Sequence, residues 1–225
     1  MSMPIAIIAA LPREIAALVQ GTKADAGLLK LGVWLYQVDG AVVVAAGMGA
    51  ERAAVAVEAA LATGEVRTLI STGLAGGCAP GVVAGSVVEA GVVVDSKTGA
   101  RFAAAGGTVT LATTEAIASV REKARLVESY GAILVDMEAA AVARIAREKG
   151  LGFRAIKGVS DAYDFELSSL GKFVGERGSF RTSAFALHTA LRPWEWAKAI
   201  ELGQGSAKAL EGLDEVLRRV ILGGR

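Results

Sequence analysis

"AILVDMEAAAVARIAREKGLGFRAIKGVSD", residues 132–161, decides the fold. "AILVDM" (132–137) is a short apolar run of strand length, and "FRAIKGVSD" (153–161) is a second. Between them "EAAAVARIAREKG" (138–150) repeats its apolar residues at helical spacing and is stopped by Gly150. Strand, helix and strand in succession predict an α/β layered fold. One residue does not fit a bland reading. On a 3.6-residue period Glu138 lines up with Ala141, Val142 and Ile145, while Arg144, Arg147, Glu148 and Lys149 lie largely elsewhere or in the final turn. Its carboxylate therefore points inward or into a cleft, where it needs a structural donor or a ligand.

The same alternation extends outward. "PIAIIAA" (4–10) reads as a first strand, with Pro12 opening a helix through "REIAALV". "VWLYQVDGAVVVAAG" (33–47) is a hairpin turning at Asp39-Gly40, and "GMGAERAAVAVEAALATG" (47–64) continues from its glycines as an alanine-rich helix. "VRTLIST" (66–72) is a strand running into the glycine-rich "GLAGG" (73–77). "GSVVEAGVVV" (85–94) reads as a strand pair or one long strand, "DSKTGARFAAAGGT" (95–108) as a loop or hairpin, and "TEAIASVREKARLVESYG" (114–131) as a helix capped by Thr114. From about Phe165 the chain reads as helical, with breaks at Arg192-Pro193 and around "GQGS" (203–206).

Composition narrows the function classes. A chain of 225 residues suits a single domain, here with a helical C-terminal extension from about residue 190. With 24 basic against 23 acidic side chains and no block of like charges, it carries no electrostatic footprint for nucleic acid or an anionic membrane. The expected ligand is small or apolar. One cysteine, Cys78, and one histidine, His188, can form neither an intrachain disulfide nor a structural zinc site of the usual kind, so a cytoplasmic protein with no metal and no cofactor is expected. The opening "MSMPIAIIAALPREIAALV" is interrupted by Arg13 and Glu14 and reads as neither signal peptide nor membrane span. The 53% apolar content, much of it Ala and Val, favours a sheet buried on both faces.

Ligands of open α/β sheets bind beyond the carboxyl ends of the strands. Four places qualify: Glu14, "TGLAGG" (72–77), Met137-Glu138 and Ser160-Asp161. Carboxylates converging on one sheet edge repel one another, which raises at least one pKa unless donors or a bound polyol compensate. Each residue also has a plainer reading. Glu14 suits a helix dipole, Asp161 a helix cap and the glycines ordinary turns, while His188 suits a structural role and Cys78 an inert small hydrophobe.

Taken together, "IIAALPREIAAL", "STGLAGG", "VDMEAAAVARIA" and "IKGVSDAYD", in this order and at strand ends, resemble the nucleoside phosphorylase and nucleosidase family, specifically its methylthioadenosine/S-adenosylhomocysteine nucleosidase-like branch. The likeness runs over most of residues 4–165. It implies a three-layer α/β/α fold with a mixed, curved central sheet, and cleavage of the N-glycosidic bond of an adenosine-type nucleoside. By the same resemblance, Glu138 accepts hydrogen bonds from the ribose hydroxyls, Met137 packs against the sugar, and Asp161, with Ser160 beside it, donates a proton to N7 of the leaving purine. Gly73, Leu74, Ala75 and Met48 complete the substrate site. Ile117 stands where the methylthioadenosine enzymes carry an aromatic for the base face. Phosphorylases of the family carry arginines where this chain has Glu14 and Ser71, and a Ser or Thr where it has Leu74. The resemblance therefore implies hydrolysis, with Glu14 activating water, and phosphorolysis as the alternative; a non-catalytic binder of an apolar nucleoside or lipid is a further one. "EKARLVESYGAILVDME" and the long C-terminal segment are similar to the hopanoid-associated branch, whose nucleoside bears a large lipid. Trp194 and Trp196 would suit lipid contact, or packing on the core or another subunit. The expected partners are a small-molecule nucleoside and a second copy of the chain in a homodimer, with no nucleic acid.

Overall fold

The apolar runs become strands of one sheet in the computed structural model, which describes residues 5–38, 40–167, 172–173, 175, 178–179 and 196–223. Ten strands form it: β1 (Ile5–Ala9), β2 (Trp34–Val38), β3 (Ala41–Ala45), β4 (Thr68–Ser71), β5 (Leu74–Gly77), β6 (Val87–Asp95), β7 (Arg101–Ala103), β8 (Val109–Thr113), β9 (Ala132–Asp136) and β10 (Gly152–Asp161). Their order is β2-β3-β1-β4-β10-β5-β9-β8-β6-β7. Parallel pairs at β1–β3, β1–β4 and β4–β10 mix with antiparallel pairs at β2–β3, β5–β9 and β6–β10. β10 is the pivot. Its first half pairs with β4, its last residues pair with β5, and its middle pairs with β6 on the other side, so that half of the sheet closes on itself. The expected mixed, curved sheet is what forms.

Strand alternation sends neighbouring residues to opposite layers. From β1, Ala6 and Ile8 join one core with helices α2 (Ala50–Leu61) and α4 (Ala139–Glu148), while Ile5, Ile7 and Ala9 join the other with Leu213, Leu217 and Ile221 of the C-terminal helix. Alanine explains the first layer. α2 and α4 present Ala53, Ala56 and Ala60 against Ala139, Ala143 and Ala146, side chains small enough for close packing over the sheet. A third, smaller cluster joins α3 (Val120–Tyr130) to β9 through Leu126, Ala132 and Val135. A short helix, α1 (Ala26–Leu29), is capped by Asp25, whose Oδ1 accepts from the N–H groups of Gly27 and Leu28.

The local expectations need four corrections. After Pro12 there is only a 3₁₀ turn, Pro12–Glu14, followed by irregular turns, because the Glu14 side chain folds back onto the N–H groups of Ala10 and Leu11. Of the two readings for residues 85–94, the single long strand is the one that forms, Val87–Asp95, with a bulge at Gly91, where a Cβ would fall 2.3 Å from the Gly107 carbonyl oxygen. α3 starts later than expected, and Ser119 caps it instead of Thr114 by accepting from the Glu122 N–H. Glu138 is the N-cap residue of α4, ahead of the helix rather than on its apolar face. The fourth concerns "GQGS", which does not break the chain: α5 (Trp196–Gly223) is continuous through it.

The glycines there serve close approach instead. A Cβ on Gly205 would lie 2.7 Å from the Ser160 carbonyl oxygen, and one on Gly158 would lie 3.0 Å from Ala209 Cβ, so α5 and β10 touch almost backbone to backbone. The expectations for Asp39, His188, Trp194 and the Arg192-Pro193 break lie outside the described residues. Trp196 is half exposed.

Candidate active site

At the carboxyl ends of β1, β9 and β10 and the start of β5 lies a cavity of about 460 Å³. Glu14, Met48, Leu74, Ala75, Ile117, Met137, Glu138, Ser160 and Asp161 all line it; Gly73 does not, but it touches Glu14 from behind. Residues far apart in sequence thus share one site because β1, β4, β9 and β10 end side by side there and β5 begins beside them.

Glu14 sits in a cradle of backbone donors. Its Oε2 accepts from the N–H groups of Ala10 at 3.0 Å and Leu11 at 2.9 Å, and its Oε1 accepts from Leu74 N–H at 3.2 Å. A carboxylate offers about four lone-pair positions. One on Oε1 is therefore left for a water. Gly73 makes this approach possible: its φ is +111°, and a Cβ there would stand 2.7 Å from Oε2. Here the glycine of "TGLAGG" does more than form a turn. It is the space the catalytic candidate occupies.

Glu138 leaves the end of β9 and reaches across to α2. Its Oε1 accepts from the Gly49 N–H at 2.8 Å, and Oε2 lies 3.3 Å from the Met137 N. Burial raises its pKa from 4.5 to about 7, helped by the neighbouring Asp136 and Glu14 charges and opposed by the Lys157 ammonium and the Gly49 N–H. The unfolded carboxyl loses its proton near 4.5 and the folded one near 7, so the folded state binds more protons between those values and stability falls as pH rises through them. Glu138→Gln is therefore expected to raise the melting temperature of the empty protein by several degrees above pH 7 and to change it little at pH 4. Thermal melts across that range check it; equal effects at both ends would mean that no ionisation penalty resides at Glu138.

Two buried ion pairs escape a reading of the sequence alone. Lys157 Nζ on β10 lies 2.9 Å from Asp136 Oδ2 and also donates to Ser71 Oγ and the Thr72 carbonyl, both at 3.0 Å. Asp136 is further held by Thr113 Oγ1 and the Ala139 N–H, so this pair fastens the strand end from which Glu138 projects. The second pair joins Lys123 Nζ of α3 to Asp161 Oδ2 at 2.5 Å. Burial pushes the Asp161 carboxyl upward, against the Lys123 ammonium and the hydrogen bonds from Lys123 and Ser160. The sequence does carry one signal for Lys123. It stands three residues before Leu126 and four before Val127, on the buried stripe of α3, where a lysine needs partners. Lys157 carries a similar signal, a charge inside an apolar strand.

Beside these groups Arg13, Thr114 and Ser206 also line the cavity, and the remaining wall is apolar. Leu11 and Leu167 meet Ala199, Leu202, Gly203 and Leu210 of α5, whose described residues bring no charged side chain to it. Gly203 has no heavy atom within 4 Å of where a Cβ would be, so the missing side chain is open space in this wall.

A family model described as the phosphorylase superfamily matches residues 4–107 and 96–189. No curated protein matches the chain significantly. Among solved structures, the Helicobacter pylori 5′-methylthioadenosine/S-adenosylhomocysteine nucleosidase with butyl-thio-DADMe-Immucillin-A superposes with a TM-score of 0.70 at 13% identity, covering 98% of both chains. The nucleosidase of the same kind from S. pneumoniae, with the transition-state inhibitor MT-ImmA, gives 0.63 at 24% identity, over 81% of this chain and 96% of that one. Native futalosine hydrolase of Helicobacter pylori gives 0.69 at 13%, over 98% and 97%. At these identities the structural likeness speaks for the fold.

Proposed function

We propose, for a chain that belongs to the phosphorylase superfamily, that this site hydrolyses the N-glycosidic bond of a 5′-substituted, adenosine-type purine nucleoside with water as nucleophile. The observation that carries the reading is the Glu14 cradle. Three backbone N–H groups converge where an anion would sit, and the chain fills the place with its own carboxylate. Phosphate would meet a negative charge and donors already engaged. Ser71 offers it nothing either, being 1% exposed and turned toward Lys157. Solved structures of similar fold are named as nucleosidases and a hydrolase, two of them holding the inhibitors given above.

In this mechanism Glu14 takes a proton from water as the oxygen attacks C1′, and Glu138 accepts the ribose hydroxyls. Those hydroxyls supply the donors that the buried Glu138 lacks in the empty site, so part of its burial penalty is relieved only when substrate arrives. The C1′–N9 electron pair passes to the purine, and Asp161 gives its proton to N7. Negative charge at Glu138 favours the oxocarbenium-like transition state. The 5′ substituent is apolar and lies along the α5 wall. A lipid-sized group at this position and a homodimer are the finer parts of the same proposal.

The test is a series of adenosine, 5′-methylthioadenosine and longer 5′-alkylthioadenosines, with S-adenosylhomocysteine as the charged comparison, read as adenine released. We expect kcat/KM to rise roughly threefold to fourfold per added methylene until the wall is covered, with S-adenosylhomocysteine slower than an alkylthio substrate of equal length. A flat series would remove the apolar 5′ assignment, and no base from any member would remove the hydrolase reading.

A further inference from the structure

We propose that Lys123 is the positioning residue for the leaving-group acid, holding Asp161 and the chain that follows it against the departing base. The inference rests on the hydrolase reading above and assigns a part to a residue that reading does not use. Lys123 lines the cavity yet is 1% exposed. An ammonium has three hydrogens, and here it has three acceptors: Asp161 Oδ2 at 2.5 Å, the Ala162 carbonyl at 2.7 Å and the Phe165 carbonyl at 3.2 Å. It has no hydrogen left for a ligand, so it acts through Asp161 and does not itself bind substrate. The same three bonds fasten both ends of the turn that carries the chain away from β10 over the cavity. Gly76 keeps the space clear. A Cβ there would fall 3.1 Å from Asp161 Oδ2 and 3.3 Å from Lys123 Cε.

The chemistry gives the pair its purpose. When N7 takes the proton, Asp161 is left as a carboxylate in an environment that disfavours charge, and the Lys123 ammonium beside it stabilises that anion. The proton returns from solvent between turnovers. The other groups around Asp161 cannot substitute for the cation. Ser160 on β10 offers a neutral hydroxyl, Oγ to Oδ1 2.5 Å; Cys78, just beyond β5, is a thiol that burial pushes up to about 12; Asp136 on β9 is an anion engaged by Lys157; and Glu122, next to Lys123 on α3, pairs with Arg125.

Lys123→Met should lower kcat and move the alkaline limb of the kcat profile up by about 1–3 pH units, because Asp161 without its counter-charge keeps its proton longer and yields it less readily. Lys123→Arg, keeping the charge, should return the limb toward its wild-type position. A lower kcat with an unmoved limb would make Lys123 merely structural and overturn the proposal. Carbon-13 NMR titration of the Asp161 carboxyl, assigned with Asp161→Asn, reads the same equilibrium without substrate: an upward midpoint in Lys123→Met is expected, and an unchanged one contradicts the proposal. If Lys123→Met does not fold, Lys123→Gln reads the same shift while its amide still donates to the two carbonyls. A wild-type protein that releases no base from any nucleoside would remove the hydrolase reading, and the NMR titration would then still decide whether Lys123 governs Asp161.

Discussion

Glu14→Gln is expected to lower turnover by about 10²–10⁴-fold while changing substrate binding little. The substitution keeps the length and shape of the side chain, and its amide oxygen can still accept from the Ala10 and Leu11 N–H groups, while its NH2 takes the place of the oxygen that accepts from Leu74. It removes the capacity to take a proton from water. Because Glu14 is tied to Ala10, Leu11 and Leu74 rather than to the ribose site, the loss should fall on kcat and leave KM close to wild type. Steady-state kinetics on a 5′-alkylthioadenosine separate the two. A variant with undiminished kcat would take Glu14 out of the mechanism, and one with a raised KM and normal kcat would make it a binding residue.

Lys157→Met should destabilise the protein by about 3–5 kcal/mol at pH 7. Both side chains of the Lys157–Asp136 pair are fully buried, at 0% exposure. Removing the cation leaves the Asp136 carboxylate in the interior with only the Thr113 hydroxyl and the Ala139 N–H for partners, and it strips the Glu138 carboxyl of the positive charge that moderates its pKa. Urea denaturation measures the cost. Replacing Asp136 as well, by Leu, should recover part of it, since an apolar pair is often tolerated where a lone buried charge is not. A single-variant loss below about 1 kcal/mol would mean that the pair behaves like a surface ion pair despite its burial.

Much of this arrangement can be read from the chain, and the exceptions share a cause. Strand runs and their carboxyl ends are legible because period and punctuation are local, so Glu14, Glu138 and Asp161 stand out as the ends of β1, β9 and β10. Glu138 stands out for a partly mistaken reason: it is conspicuous beside an apolar helix, but it sits at the cap and not on the helix face. What the sequence does not disclose are contacts between distant segments. The helix expected after Pro12 gives way to a turn because Glu14 binds backbone groups behind it, and that requires the space left by Gly73, at the far end of β4 and remote in sequence. Gly203 and Gly205 look like breakers since helix propensity penalises glycine. In α5 the backbone contact with Ser160 requires one of them, and the other leaves the cavity wall open. Lys123 and Lys157 stand out as charges among apolar neighbours, but their carboxylate partners, brought in by other strands, are not legible in the sequence.

The central claim is that water, and not phosphate, attacks C1′. The most direct measurement incubates the protein with a 5′-alkylthioadenosine in phosphate-free buffer and again with phosphate added, and identifies the sugar product by chromatography. Adenine with the free 5′-alkylthioribose at equal rates in both is the result expected from the Glu14 site. Base release only when phosphate is present, with the sugar recovered as its 1-phosphate, would contradict it.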